Sequence, residues 1–101
     1  MTKALTMIHD LLAGRLHFEK EEICKFVCEL EDEISYYGYD ELQAIDPEFA
    51  YILDENINDI SEKVEEYTPE IERQLIADVR ALYDRALAVY YQRHPGAKEP
   101  E

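Results

Sequence analysis

The sequence predicts an all-α fold, a single-domain antiparallel four-helix bundle, from three observations. Four stretches carry apolar residues at helical spacing, and none alternates with the two-residue period of a strand. The breaks between them hold helix-starting or helix-stopping residues: Gly14, Gly38, Asp46-Pro47 and Thr68-Pro69. Short connections between amphipathic helices favour an up-down-up-down bundle, placed at residues 1–94, with 95–101 as a flexible polar tail.

The first helix is expected over 2–13. Leu5, Ile8 and Leu12 form its stripe, Met7 and Leu11 widen it, and Gly14 stops it. His9 lacks an H-E-x-x-H companion and reads as a core-edge or solvated side chain. After a connection at 15–18, Ile23, Phe26, Val27, Leu30, Ile34 and Tyr37 make one stripe over 19–37. Glu19, Glu21 and Glu22 then fall in a first turn, where the helix dipole favours acid, and Gly38 serves as C-cap. Residues 40–45 read as a connection. Asp46-Pro47 starts a long third helix through Phe49, Leu53, Ile57, Ile60, Val64 and Tyr67. Thr68-Pro69 starts the fourth, through Ile71, Leu75, Val79, Leu82, Ala86 and Val89 or Tyr90, ending before Pro95. The expected core is Leu11, Ile23, Phe26, Leu30, Phe49, Leu53, Ile60, Leu75, Val79 and Leu82.

Charge narrows the function. The chain has 24 Asp and Glu against 10 Lys and Arg, a net −14. Nucleic acid and anionic membranes are poor partners for such a surface, and a cationic protein is a good one. No apolar run reaches the length of a membrane span and no signal-peptide layout opens the chain, so a cytoplasmic protein is expected. Cys24 and Cys28 share a helix face without further cysteines and read as buried reduced thiols, not a disulfide or a metal site.

The acid is unevenly placed. Between Glu19 and Glu72 there are 19 acidic residues against Lys20, Lys25 and Lys63. A merely solvated face accounts for acid in the first turns of helices two and four. It does not account for Glu62, Glu65 and Glu66 at the end of helix three, where the dipole opposes them and Glu62 and Glu66 form a like-charge i, i+4 pair. The corner S-E-K-V-E-E-Y-T-P-E-I-E-R (61–73) is therefore the candidate binding surface. Its residues are Glu62, Glu65, Glu66, Tyr67, Glu70 and Glu72, extended along helix three by Asp59 and Glu55. Tyr36, Tyr39 and Tyr51 are candidates for an exposed aromatic rim, with Tyr37 and Tyr67 assigned to the core.

Catalysis finds no footing in the motifs. There is no Ser/His/Asp order, Cys/His pair, nucleophile elbow or Gly-rich phosphate loop, and no E-x-x-H of the kind di-iron bundles need. No enzyme, cofactor or metal is expected.

The segments M-I-H-D-L-L-A-G-R-L (7–16), F-E-K-E-E-I-C (18–24), E-E-Y-T-P-E-I-E (65–72) and I-A-D-V-R-A-L-Y-D-R (76–85) resemble the immunity protein of colicin D and its relatives. That family consists of small cytoplasmic four-helix proteins that neutralise a tRNA-cleaving toxin by presenting acid to its RNA-binding cleft. Aligned on Pro69, the resemblance places inhibitory acids at Glu65 and Glu70. A third family acid falls on Thr68, a departure that Glu66 or Glu72 would cover. The longer 36–45 region implies a different cognate toxin, such as one of contact-dependent growth inhibition. The DNase-colicin immunity proteins are likened more faintly, through Tyr36-Tyr37. The resemblance thus implies an immunity protein bound one-to-one to a basic nuclease toxin and monomeric alone. The alternative is an acidic nucleic-acid mimic or regulatory adaptor acting on a host nucleic-acid-binding protein.

Overall fold

The computed structural model describes residues 2–100, and these are all-helical. Five α-helices follow in order: α1 (Lys3–Leu12), α2 (Glu22–Asp32), α3 (Tyr39–Ile45), α4 (Pro47–Glu62) and α5 (Ile71–Arg93). A π-helical turn, Glu33–Tyr37, succeeds α2, and a 3-10 turn, Lys63–Glu66, succeeds α4. The fifth helix is α3, where the sequence predicts a connection. Its apolar residues Tyr39, Leu42 and Ile45 recur every three positions over seven residues, too short a run to stand out, yet Leu42 is fully buried.

Helix ends obey their local chemistry. Thr2 caps α1, its Oγ1 accepting from the Leu5 N–H at 3.2 Å. At the other end, the N–H of Gly14 donates to the Leu11 carbonyl and that of Arg15 to the Asp10 carbonyl, with Gly14 at φ +72°. That is a Schellman stop, which the missing Cβ permits. Helix α2 begins at Glu22, later than expected. The Glu22 carboxylate turns back to accept from the Glu19 N–H at 2.8 Å, half of a capping box. Helix α5 begins at Ile71, whose N–H donates to the Thr68 carbonyl. Thr68 and Pro69 form the preceding turn and supply no side-chain cap.

One local irregularity redirects the surface. The stripe Ile23, Val27, Leu30 and Ile34 is buried, as expected. In the π turn the Gly38 N–H donates to the carbonyl of Glu33, five residues back, at 2.7 Å. The buried series thereby continues to Gly38 and Leu42 and leaves Tyr37 outside. Tyr37 is 76% exposed, correcting its assignment to the core. Gly38 has a negative φ, so it does not serve as a left-handed cap. Its role is steric, because a Cβ there would lie 2.7 Å from the Glu33 carbonyl oxygen.

The core joins Leu5, Ile8 and Leu11 of α1, the α2 stripe, Leu42, Phe49, Leu53 and Ile57, and Leu75, Val79, Tyr83 and Ala86 of α5. Helix α4 packs on α2, α3 and α5, and α1 packs on α5. Of the expected core, only Phe26 is not buried. It is half-buried, edge-to-face with Phe18 at 5.5 Å between ring centres. Cys28 is exposed and Cys24 half-buried, so the buried pair of thiols is corrected too; Cys28 comes just after Val27 and lies off the stripe. Both thiols are free.

The tightest polar knot ties the start of α4 to the end of α5. Asp46, 2% exposed, caps α4 by accepting from the Glu48 and Phe49 N–H groups at 2.9 and 3.0 Å. Its other oxygen accepts from Arg93 Nε at 2.8 Å and lies 2.6 Å from His94 Nε2. Beyond His94 the chain turns at Gly96. Glu99 reaches His9 and Tyr83, and Pro100 is buried.

Candidate functional site

The corner between α4 and α5 is one continuous stretch with three local conformations. Helix α4 ends at Glu62, the 3-10 turn carries Glu65 and Glu66 outward, and the Thr68–Pro69 turn leads to Glu70 and Glu72. Glu62, Glu65, Glu66, Thr68, Pro69 and Glu70 are exposed, and Glu72, in the first turn of α5, is half-buried.

Tyr67 organises this corner. It is half-buried against the core, in keeping with its placement there, but its hydroxyl leaves the core and donates to the Lys20 carbonyl at 2.6 Å. Cys24 Sγ lies 3.9 Å from the Val64 carbonyl, so the start of α2 is fastened beside the 3-10 turn. Burial, then the Glu72 carboxylate, the Cys24 sulfur and the Glu21 carboxylate, push the Tyr67 phenol up. Glu21 is thus part of the corner. In the sequence it belongs to a dipole-favoured first turn far along the chain, and only tertiary packing brings it to Glu72.

One cation of the corner is diverted, while Arg73 stays beside Pro69 and Glu70. Lys63 pairs with Asp78 of α5 at 2.6 Å, away from Glu65 and Glu66. Glu62 accepts from Asn58 Nδ2 at 3.1 Å, which turns its carboxylate back along α4. Among the described residues, Glu21, Glu65, Glu66, Glu70 and Glu72 make no ion pair. Their repulsion is therefore borne by solvent, by salt and by the Arg73 guanidinium beside Glu70.

The remaining predicted residues divide. Glu55, Asp59 and Glu62 recur at helical spacing on the outer side of α4, a line of exposed acid running to the corner. Asp59 also lines a shallow groove of about 240 Å³ against α5, together with Asp78 and Arg85. Tyr36 is 74% exposed, but it does not join the corner. It lies twelve residues beyond Cys24, on the order of 18 Å along the helix axis. Tyr39 is half-buried against the core, which corrects its place on an exposed rim. Tyr51 is exposed, as expected, so the exposed aromatics of this half of the chain are Tyr36, Tyr37 and Tyr51.

Asp46, one of the acids between Glu19 and Glu72, contributes no surface charge, being buried and paired with Arg93 and His94. No group of three or more His, Cys, Asp or Glu able to hold a metal ion occurs among the described residues. None of the described helices is long and apolar enough to cross a membrane.

No family model, no curated protein and no solved structure matches the chain.

Proposed function

We infer that this chain is an immunity-type inhibitor of a basic nuclease toxin, most simply a tRNase, acting in the cytoplasm where toxin and RNA meet. The observation that carries the reading is that Glu21, from a distant segment, lies with Glu72 near Tyr67 in the stretch that also holds Glu65, Glu66 and Glu70, and that none of these five makes an ion pair among the described residues. Carboxylates held at the ends of packed helices and on the turns between them imitate the spaced negative charge of a phosphate backbone. They compete with RNA for a cationic cleft.

In this reading the scaffold is an antiparallel bundle of four long helical segments, with α3 as an insertion. The corner steers the encounter, with association of ~10⁸ M⁻¹s⁻¹ or faster at low salt. Tyr67 supplies a positioned aromatic among the charges, and desolvated contacts of that kind hold a complex once formed. The chain itself carries out no chemistry and needs no cofactor.

The test is an RNA-cleavage assay with the product of the adjacent gene, run with wild type and with Glu65→Lys/Glu70→Lys. Wild type blocks cleavage and the double variant does not. Full protection by the double variant would place the inhibitory surface elsewhere. Capture of a host nucleic-acid-binding protein, with no effect on the neighbouring protein, would favour the adaptor reading instead.

A further inference from the structure

Beyond His94 the chain folds back on the bundle. Pro95 and Gly96 make the turn, with Gly96 at φ +80°, a left-handed value that a residue with a side chain adopts only at a cost. The Ala97 N–H donates to the His94 carbonyl and closes the turn. Glu99 then enters the groove between α1 and α5, and Pro100 is buried, sharing a hollow with Ile45 and Tyr90.

Glu99 sits in a seat made of two donors. Tyr83, buried on α5, donates its hydroxyl proton to the Glu99 carboxylate. A phenol has one proton to give, so the proton between the two rings belongs to His9. Nε2 of His9 carries it and lies 3.0 Å from the same carboxylate oxygen and 2.9 Å from the Tyr83 oxygen. Burial, then the Glu99 carboxylate, push the Tyr83 phenol up, which keeps it a donor. Arg15 and Arg80 line the same groove, against Asp84 as its other acid. In a chain of net −14, this is a place that welcomes a carboxylate. Arg15 is paired with Asp10 and Arg80 with the Leu12 carbonyl, so the hold on Glu99 is that of His9 and Tyr83.

We propose that residues 95–100 form a reversible latch over the groove between α1 and α5, with Gly96 as its hinge and the His9–Tyr83 seat as its catch. Opening strands no buried polar group, because the Tyr83 hydroxyl and the His9 ring still bond each other when Glu99 leaves. The latch is also held at few points. Among the described residues, its backbone makes no hydrogen bond beyond the turn at His94. Opening bares Tyr83, Leu12 and Leu87 beside Arg80. Tyr83 stands about 16 Å along the α5 axis from Glu72, and the latch does not depend on the inhibitor reading.

The test follows the latch in the whole chain through the heteronuclear NOE of the Ala97, Lys98 and Glu99 amides. In wild type these amides are as rigid as those of α5. Glu99→Ala frees them. Tyr83→Phe, which keeps the ring edge-to-face on Phe49, frees them as well, and Glu99→Gln, with a neutral acceptor, falls between. Gly96→Ala loosens the latch through its backbone alone, since nothing lies within 4 Å of the added Cβ. Trypsin cleavage after the exposed Lys98, read by mass, gives a second measure, because Tyr83→Phe leaves the cleaved sequence unchanged. Loss of one hydrogen bond to a charged group should speed that cleavage about tenfold. Far-ultraviolet circular dichroism of Glu99→Ala matches wild type, as its side chain lies outside the core. Amides as mobile in wild type as in Glu99→Ala, or a segment that stays rigid in either Glu99→Ala or Tyr83→Phe, would overturn the proposal.

Discussion

Replacing Asp46 with Ala isolates one interaction on which the packing of α4 against α5 depends. The side chain caps two N–H groups and holds Arg93 and His94. Loss of an N-cap costs about 1–2 kcal/mol. The Phe49 N–H is left buried without a partner, which puts that cost at about 2 kcal/mol, and the lost ion pair adds up to about 1. The Arg93 and His94 side chains are 46% and 40% exposed, so solvent replaces most of what they lose. The total is about 2–3 kcal/mol, or roughly 10–20 °C in Tm for a domain of this size. Asp46→Asn keeps a capping oxygen and costs less, about 1 kcal/mol.

The pH dependence has a definite sign. Burial raises the Asp46 pKa, but the Arg93 hydrogen bond, the Phe49 N–H and His94 outweigh it and hold the carboxyl well below the usual range. A depressed folded-state value gives stability that is fully present above the unfolded pKa of about 3.9 and fades as pH falls through the folded value. Urea unfolding monitored by circular dichroism should therefore show a constant gap between wild type and Asp46→Ala from neutral pH to about 5, narrowing only in strong acid. A gap under about 0.5 kcal/mol at neutral pH, or one that widens on acidification, would refute the reasoning.

Three further outcomes are expected. Gly38→Ala forces a Cβ to within 2.7 Å of the Glu33 carbonyl oxygen, and urea unfolding should show a loss of about 1–3 kcal/mol. Leu42→Ala should cost about 2–5 kcal/mol in the same assay, because α3 buries that side chain completely; an exposed connection would lose almost nothing. Cys28 is exposed, yet partial burial, Glu31 and Asp32 push its thiol up, so it should react with iodoacetamide at pH 7 more slowly than a cysteine in an unstructured peptide. Glu31→Gln/Asp32→Asn should speed that reaction.

The parts of the fold that are legible in the sequence are those governed by local chemistry. Gly14 stops α1 and Asp46-Pro47 starts α4 as expected, because a left-handed glycine and an acidic cap beside proline act within a few residues. The stripe from Ile23 to Ile34 is equally plain. Tyr37 departs from its expected place because the extra residue of a π turn leaves the three-and-four spacing unbroken to the eye while rotating the next residues about the axis. Residues 40–45 do not read as a helix because so short a segment gives barely two apolar repeats, and Tyr39 is misjudged with them. The corner is visible as a run of glutamates around Thr68-Pro69. The contribution of Glu21 is not, since only the Tyr67 bond to the Lys20 carbonyl and the contact of Cys24 with Val64 bring it there. Nor does spacing show that Lys63 turns away to Asp78.

Whether the Tyr67 corner receives a toxin is decided most sharply by the rate at which this protein associates with the proposed partner, a basic nuclease toxin domain, measured by stopped-flow fluorescence at low and high salt. Wild type should associate fast at low salt and slow steeply as salt rises. Glu65→Lys/Glu70→Lys should be slow at both, while reversal of Glu41 and Glu48, exposed acids of α3 and α4 outside the corner, should leave the rate near wild type. Equal slowing by both pairs of reversals, or a wild-type rate indifferent to salt, would contradict the claim that this corner is the docking surface.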